Sequence, residues 1–327
     1  MDLIYTDAKR IDQGILGAYN FDLSFGSDEN NFELTLGANE PALAFGDFVY
    51  IEGTEYGGII DARKTGTDTE TITYMGRTFH GILQSKIIEP DAGQDYYTVS
   101  GDANEAISAL IERFGISELL SVESCSSVSI APYRFERYCK GYDGIRDMLS
   151  DNGAKLQIRW NNRKIVLSAV PVTDYTQSPI DSDMAALTVE QHAKKVNHLI
   201  CLGSGELSSR EVLHLYADQF GNISDTQYYT GIDEIAEIYD FSAVATSEEL
   251  RSYGEKRMKE LHDNDTAEIS FDNNSVSFDI GDIVGAEEIK SGVTVAVPVT
   301  QKIVTVINGI VTIDYKTGKG EKTWQII

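Results

Sequence analysis

The chain is poor in positive charge. Its 327 residues hold 27 Lys and Arg against 52 Asp and Glu, a formal net charge of −25 at pH 7. A surface of that sign repels other polyanions, which excludes capture of nucleic acid on a basic face. Cysteine is scarce as well. Cys125, Cys139 and Cys201 are odd in number and lack metal-ligand spacing. They exclude a disulfide framework and suggest a reducing compartment, with the thiols acting as small apolar side chains. No apolar run approaches the ~20 residues that cross a bilayer, so no membrane segment is expected. Met1-Asp2-Leu3-Ile4-Tyr5 lacks the basic and apolar regions of a signal peptide. Tryptophan is limited to Trp160 and Trp324, far apart in the chain. That disfavours a carbohydrate-binding module, which needs clustered exposed aromatics.

What is present is acid in two blocks. Residues 1–100 carry 17 acidic against 6 basic residues, residues 101–200 carry 13 against 11, and residues 201–327 carry 22 against 10. The acidic flanks read as β-rich. Phe21, Leu23 and Phe25 alternate with polar residues, as do Phe32, Leu34 and Leu36, which is the period of half-buried strands. Residues 48–60 form a hairpin turning at Gly53, and Thr71–Arg77 is a further strand. The nearly neutral middle carries helix signals. Asp102 caps a helix with Glu105 at its third position, and Ala103, Ala106, Ile107, Leu110 and Ile111 lie on one face before the stop at Gly115. A second helix is expected over Asp143–Asn152, followed by strands over 155–160 and 164–170 turning at Asn161-Asn162-Arg163. A third helix is capped by Thr246 with Glu249 at its third position. Asn308-Gly309 signals a tight hairpin between strands 302–307 and 311–315.

A chain of this length exceeds one ordinary core. The reading is a mainly β protein with an α+β middle, discontinuous in sequence. It places a first β-barrel domain at 1–98 and α+β middle domains at 99–187 with 228–263. A second β-barrel domain falls at 188–227 with 264–327, and the third helix packs back on the middle domain.

Catalytic and metal-binding patterns are weak. The five histidines, His80, His192, His198, His214 and His262, show no metal-binding spacing, although His198 and His214 lie in consecutive strands and could face each other. Gly203-Ser204-Gly205-Glu206 lacks the third glycine and the Lys-Ser/Thr of a phosphate loop and reads as a turn. Asp218, Asn222 and Asp225 surround Gly221 without EF-hand spacing and read as a hairpin tip. Asp279 with Asp282 and Glu287 with Glu288 could imitate a glycosidase pair, but so many acids make such pairs by coincidence. Tyr133-Arg134-Phe135-Glu136-Arg137-Tyr138-Cys139-Lys140 is basic and aromatic, and reads as a strand with Phe135 and Cys139 inward. The expectation is therefore no catalytic, cofactor or metal residues, and a scaffold rather than an enzyme.

Four segments carry a family resemblance: Ile72-Thr73-Tyr74-Met75-Gly76-Arg77-Thr78-Phe79-His80-Gly81-Ile82-Leu83, Tyr142-Asp143-Gly144-Ile145, Val196-Asn197-His198-Leu199-Ile200-Cys201, and Phe278-Asp279-Ile280-Gly281-Asp282-Ile283-Val284-Gly285. They make the chain resemble the bacteriophage tail and baseplate hub proteins, including prophage members and the N-terminal hub region of tail-associated lysins. The resemblance implies tail-tube-like barrels and a homotrimer whose six barrels match a hexameric tail tube. The implied partners are a distal tail or tube protein and a tip, spike or fibre protein, and the implied location is the virion tail. DNA would pass an acidic channel without specific binding. The sequence ends at Ile327 without the lytic domain of some relatives, which argues against cell-wall degradation; the alternatives are a tail-associated cell-wall hydrolase or a carbohydrate-binding tip module.

Overall fold

The structure is a computed structural model describing residues 1–67, 70–176, 185–190, 195–242, 246–262, 266–271, 277–288, 293–318 and 321–324. In chain order the elements begin with β1 (Leu3–Thr6), β2 (Asp12–Leu16), β3 (Tyr19–Gly26), β4 (Asn31–Gly37), β5 (Phe48–Tyr50), β6 (Gly57–Thr65), β7 (Thr71–Thr78) and α1 (Phe79–Gln84). There follow β8 (Ile87–Ile88), β9 (Thr98–Asp102), α2 (Ala103–Arg113), β10 (Leu120–Val122), β11 (Ser129–Arg134), β12 (Cys139–Lys140), α3 (Gly141–Ser150), β13 (Ala154–Asn161) and β14 (Lys164–Pro171). The remainder comprises β15 (Ala185–Glu190), β16 (His198–Leu202), β17 (Val212–Ala217), β18 (Ile223–Ser224), β19 (Ala236–Asp240), α4 (Ser247–His262), β20 (Thr266–Phe271), β21 (Ile283–Glu288), β22 (Val293–Ile307), β23 (Ile310–Thr317) and β24 (Glu321–Trp324). The chain is mainly β and divides into two compact units, Met1–Leu187 with Glu268–Ile327, and Thr188–Ala267.

The first unit is built on an 11-stranded sheet ordered β2-β1-β5-β6-β7-β4-β3-β22-β21, with β23 and β24 also paired to β22. No pairing among the described residues closes this sheet into a barrel. Its core face follows from strand alternation: Phe21, Leu23, Phe25, Phe32, Leu34, Leu36, Val304 and Val306 are all buried in one cluster. The Gly76-Arg77 pair has a local cause. The pairing of β6 with β7 shifts register between Ile60 and Ala62, so Asp61 bulges opposite Gly76. A Cβ on Gly76 would lie 1.8 Å from the Ile59 carbonyl oxygen, so only glycine fits. Arg77 then clamps the bulge, donating from Nε and Nη2 to the two Asp61 oxygens at 2.8 Å each.

A second core of this unit gathers α1, α2, α3 and the sheet β10-β14-β13 around Trp160, which stacks on Tyr50 and Phe79 and is 1% exposed. Asp102 caps α2 by accepting from the backbone N–H groups of Asn104 and Glu105. Helix α3 starts at Gly141, two residues before the expected Asp143, because the Gly141 N–H reaches the Lys86 carbonyl.

The second unit is a four-stranded sheet, β18-β17-β16-β19, with α4 on one face. Leu250 and Met258 of α4 pack on Leu199, Cys201, Leu215 and Ala217. Gly254 permits the approach, since a Cβ there would meet the Cys201 sulfur at 2.6 Å.

These contacts differ from the sequence-based boundaries. Residues 228–263 were expected with the middle domain, but β19 pairs with β16 in parallel and α4 covers the same sheet, so they join 188–227 in one unit. Residues 264–327 were expected to complete a second barrel with 188–227. Instead β22 pairs antiparallel with β3 from Gln301↔Gly26 to Ile307↔Asn20. The strand expected at 302–307 begins at Val293 and runs on through Pro298. Proline is tolerated because β22 changes partners there, from β21 and β24 to β3 and β23.

Candidate functional site

Buried charge is the most unusual chemistry in the first unit. Lys302 is 1% exposed and Lys155 is 6% exposed. Lys302 Nζ lies 2.6 Å from Glu55 Oε1 and 3.4 Å from Asp279 Oδ1, while Lys155 Nζ lies 2.8 Å from Asp279 Oδ2 and 2.6 Å from Asp282 Oδ1. Four segments meet here. The loop carrying Glu55 is pinned to β13 by bonds from the Trp160 N–H to the Thr54 carbonyl and from the Gly53 N–H to the Trp160 carbonyl. The turn before β21 is pinned by the Asp279 N–H and the Thr173 N–H, both donating to Asp282. His80 of α1 stacks on Phe25 with ring centroids 4.3 Å apart, and its Nε2 lies 3.4 Å from Glu55 Oε2. A cleft of about 360 Å³ opens beside the cluster, lined among others by Glu55, Gln157, Arg159, Asp279 and Lys302.

Glu55, Asp279 and Lys302 are held in their ionised forms. Burial pushes the Asp279 carboxyl up, but the Lys155 hydrogen bond and the Lys302 charge outweigh it and hold the group at about 2. Burial likewise pushes Glu55 up, and Lys302 and His80 more than reverse it. For Lys302 burial favours the neutral amine, yet the Glu55 charge leaves the ammonium raised above its usual range. Burial lowers His80, so that imidazole is neutral near pH 7. A glycosidase acid needs a carboxyl raised towards neutral pH. Asp279 has the opposite shift, and Asp282 is spent on Lys155 and backbone donors.

The second candidate is a surface. The sheet face opposite the first core carries Asn20, Asp22 and Ser24 of β3, Asn31, Glu33 and Thr35 of β4, and Ile303, Thr305 and Ile307 of β22, with Ile310, Thr312 and Asp314 continuing it on β23. Asp22 and Glu33 stand directly opposite each other in the ladder. Like charges in that position destabilise a sheet. Asp22 is held by the Asn20 amide at 3.0 Å and the Thr305 hydroxyl at 2.8 Å, whereas Glu33 is exposed. Arg77 and Lys316 are tied to Asp61 and Asp28.

Other candidates fall as follows. His198 and His214 do meet: His198 Nε2 is 2.8 Å from His214 Nδ1, and His198 Nδ1 is 2.7 Å from Glu234 Oε1. Residues 203–206 form a turn closed by the Glu211 N–H on the Ser204 carbonyl. Asp218 accepts from the backbone of Phe220 and Asn222 at a hairpin tip, while Asp225 pairs with Arg251 on α4. In the 133–140 segment Phe135 is buried, Cys139 half-buried, and Arg134 lies over the Tyr96 ring at 4.3 Å. Burial raises the Cys201 thiol to about 11, which leaves it unreactive. His192 lies outside the described residues, as do the side chains of His262, Glu287 and Glu288. Sequence reasoning missed Lys155 and Lys302. The signal for Lys302 was its phase, since 302, 304 and 306 share the core side of β22.

No family model matches the chain, and no curated protein matches its sequence. Solved structures do match in fold. The 43 kDa tail protein of prophage MuSo2 from Shewanella oneidensis superposes with a TM-score of 0.56 at 14% identity, covering 98% of each chain. The tail protein from Neisseria meningitidis MC58 superposes with a TM-score of 0.52 at 13% identity, covering 98% of this chain and 97% of that one. The chain therefore shares the fold of these two tail proteins along nearly its whole length.

Proposed function

We propose that the chain is a structural, non-enzymatic tail hub of a phage or phage-tail-like particle. The observation that carries this reading is the fold shared with two tail proteins over at least 97% of every chain compared. The hub assembles as a homotrimer and joins the hexameric tail tube to the distal tip or spike. The face bearing Asp22, Glu33 and Asp314 lines the channel. Its carboxylates repel passing DNA phosphates, and the Arg77 and Lys316 cations beside them are paired with Asp61 and Asp28. The like-charge pair of Asp22 and Glu33 supports a role other than stability for that face.

The test is assembly. Co-expression with the tube and tip proteins encoded beside it, followed by mass photometry and negative-stain microscopy, should give a three-fold particle. A chain that stays monomeric with those partners and is absent from purified tails refutes the proposal.

A further inference from the structure

The loop between β16 and β17 in the second unit holds an apolar side chain out in solvent. Leu207 is 95% exposed and takes φ of 52°, the left-handed region that disfavours a bulky residue. The loop around it is tied down. The Ser209 N–H and hydroxyl donate to the Glu206 carbonyl at 3.0 and 2.7 Å, and the Glu211 N–H donates to the Ser204 carbonyl at 2.9 Å. Arg210 donates from Nε to the Gly203 carbonyl at 3.1 Å and pairs with Asp240. Asparagine or glycine takes a left-handed conformation more readily and leaves no apolar surface in water, so folding alone does not call for leucine here. Backbone strain that the surrounding bonds enforce points to a function. The place of the loop agrees. Gly203 lies against Leu250 and Gly254 against Cys201, so α4 runs back along β16 from this end of the sheet. The chain enters the unit before β16 and leaves it after α4, both at the other end.

We propose that Leu207 anchors a different protein of the tail, by entering an apolar pocket on that protein whose rim carries lysine or arginine; this rests on the hub reading. The rim follows from charge. Glu206 and Glu211 flank the leucine in the loop, Glu248 and Glu249 open α4 at the same end, and the Arg210 cation is spent on Asp240. A surface of that sign is steered towards a basic partner. It is repelled by a second copy of a chain that carries −25, which sets the partner apart from the hub itself. Val212, exposed at the start of β17, extends the apolar contact. An aliphatic anchor held in its bound position by its own loop loses little freedom on docking, which is where a rigid loop gains over a mobile one. Full burial of one leucine is worth about ten- to a hundredfold in affinity.

The test uses the full chain, purified alone and co-expressed with the tube and tip proteins encoded beside it. Leu207→Asn relieves the backbone strain and should raise the thermal midpoint of the purified chain by about 1–4 °C. The same variant should enter particles about tenfold less readily or worse, read by mass photometry. Leu207→Met keeps the apolar bulk and should assemble like the wild type. Glu206→Lys with Glu211→Lys should weaken incorporation and reduce its dependence on salt. Three results overturn the proposal: Leu207→Asn assembling as well as the wild type, Leu207→Asn losing assembly together with stability, or reversal of the two glutamates strengthening incorporation. Self-association of the purified wild type that Leu207→Asn abolishes puts a second copy on the anchor and overturns the assigned partner. In each of these cases wild-type particles still form and the hub function stands. A wild type that never assembles refutes the hub function, and the anchor falls with it.

Discussion

Replacing Lys302 by methionine tests the account of the buried charges most directly. Methionine keeps most of the volume and deletes the ammonium 2.6 Å from Glu55 and 3.4 Å from Asp279. Asp279 retains Lys155 and the Gln157 amide. Glu55 retains only the neutral His80 among these partners, and its side chain is 16% exposed. Removing one partner of a buried pair strands the other charge and costs about 3–5 kcal/mol. At a urea dependence of about 2–3 kcal/mol per molar, the midpoint at pH 7 should fall by about 1–2 M. Trp160 fluorescence in a Trp324→Phe background reports the first unit, because Trp160 sits in its core. The pH dependence gives a second check. In the wild type, Glu55 and Asp279 titrate below their unfolded values. Their contribution is therefore complete above the ordinary carboxylate range and is lost as pH falls towards 2. Without Lys302 the largest influence on Glu55, burial, acts with little opposition and raises its pKa, so the variant gains stability on protonation. The gap between the two proteins should narrow from pH 7 to pH 4, and adding Glu55→Gln to the variant should restore much of the loss. A deficit below about 1 kcal/mol at pH 7, or one independent of pH, refutes the reasoning.

Gly76→Ala should prevent the pairing of β6 with β7, since its Cβ would overlap the Ile59 carbonyl, and the soluble yield and the unfolding midpoint should both collapse. Asp102→Ala removes a cap that accepts two backbone N–H groups and should cost about 1 kcal/mol in denaturant unfolding, with Asp102→Asn recovering most of it. Asp22→Asn relieves repulsion with Glu33 and should raise stability by about 0.2–1 kcal/mol. Asp22→Lys with Glu33→Lys should leave tails assembled but slow DNA release, measured as ejection kinetics against salt.

Local chemistry was legible where a few neighbouring residues decide the backbone. Asn308 and Gly309 take φ of 48° and 86°, as the hairpin pattern requires, and Asn162 and Arg163 turn the other hairpin at 50° and 62°. Asp102 and Thr246 cap the helices assigned to them, with Thr246 accepting from the Glu249 N–H. Helix α1 was not seen, because the six residues from Phe79 to Gln84 are too short to show a period and Phe79-His80 continues the apolar texture of β7. Strand partners were the larger failure. Alternation in β22 tells which residues face a core, and β3 offers as good a face as any later strand. The sequence pattern therefore could not decide between β3 and the strands after Thr188. The charged cluster was illegible for the same reason: Glu55, Lys155, Asp279 and Lys302 have no common spacing, and only the pairing of distant strands brings them together.

The two sets of carboxylates answer different physical demands. Those around Lys155 and Lys302 are matched by cations at hydrogen-bond distance, as burial requires. Asp22 and Glu33 face each other across a ladder, with hydrogen bonds from Asn20 and Thr305 to Asp22. A lysine at either position would stand opposite the remaining acid, would pair with it and would stabilise the sheet by up to about 1 kcal/mol. Stability alone therefore favours a charge pair there, and two acids are the less stable choice. A face that must touch DNA without holding it carries the opposite preference, because each added cation is a phosphate-binding point. If the chain is the tail hub proposed above, Asp22 and Glu33 suit the wall of its channel. Its measurable signature is a tail that releases DNA more slowly, and with stronger salt dependence, once that wall carries lysine.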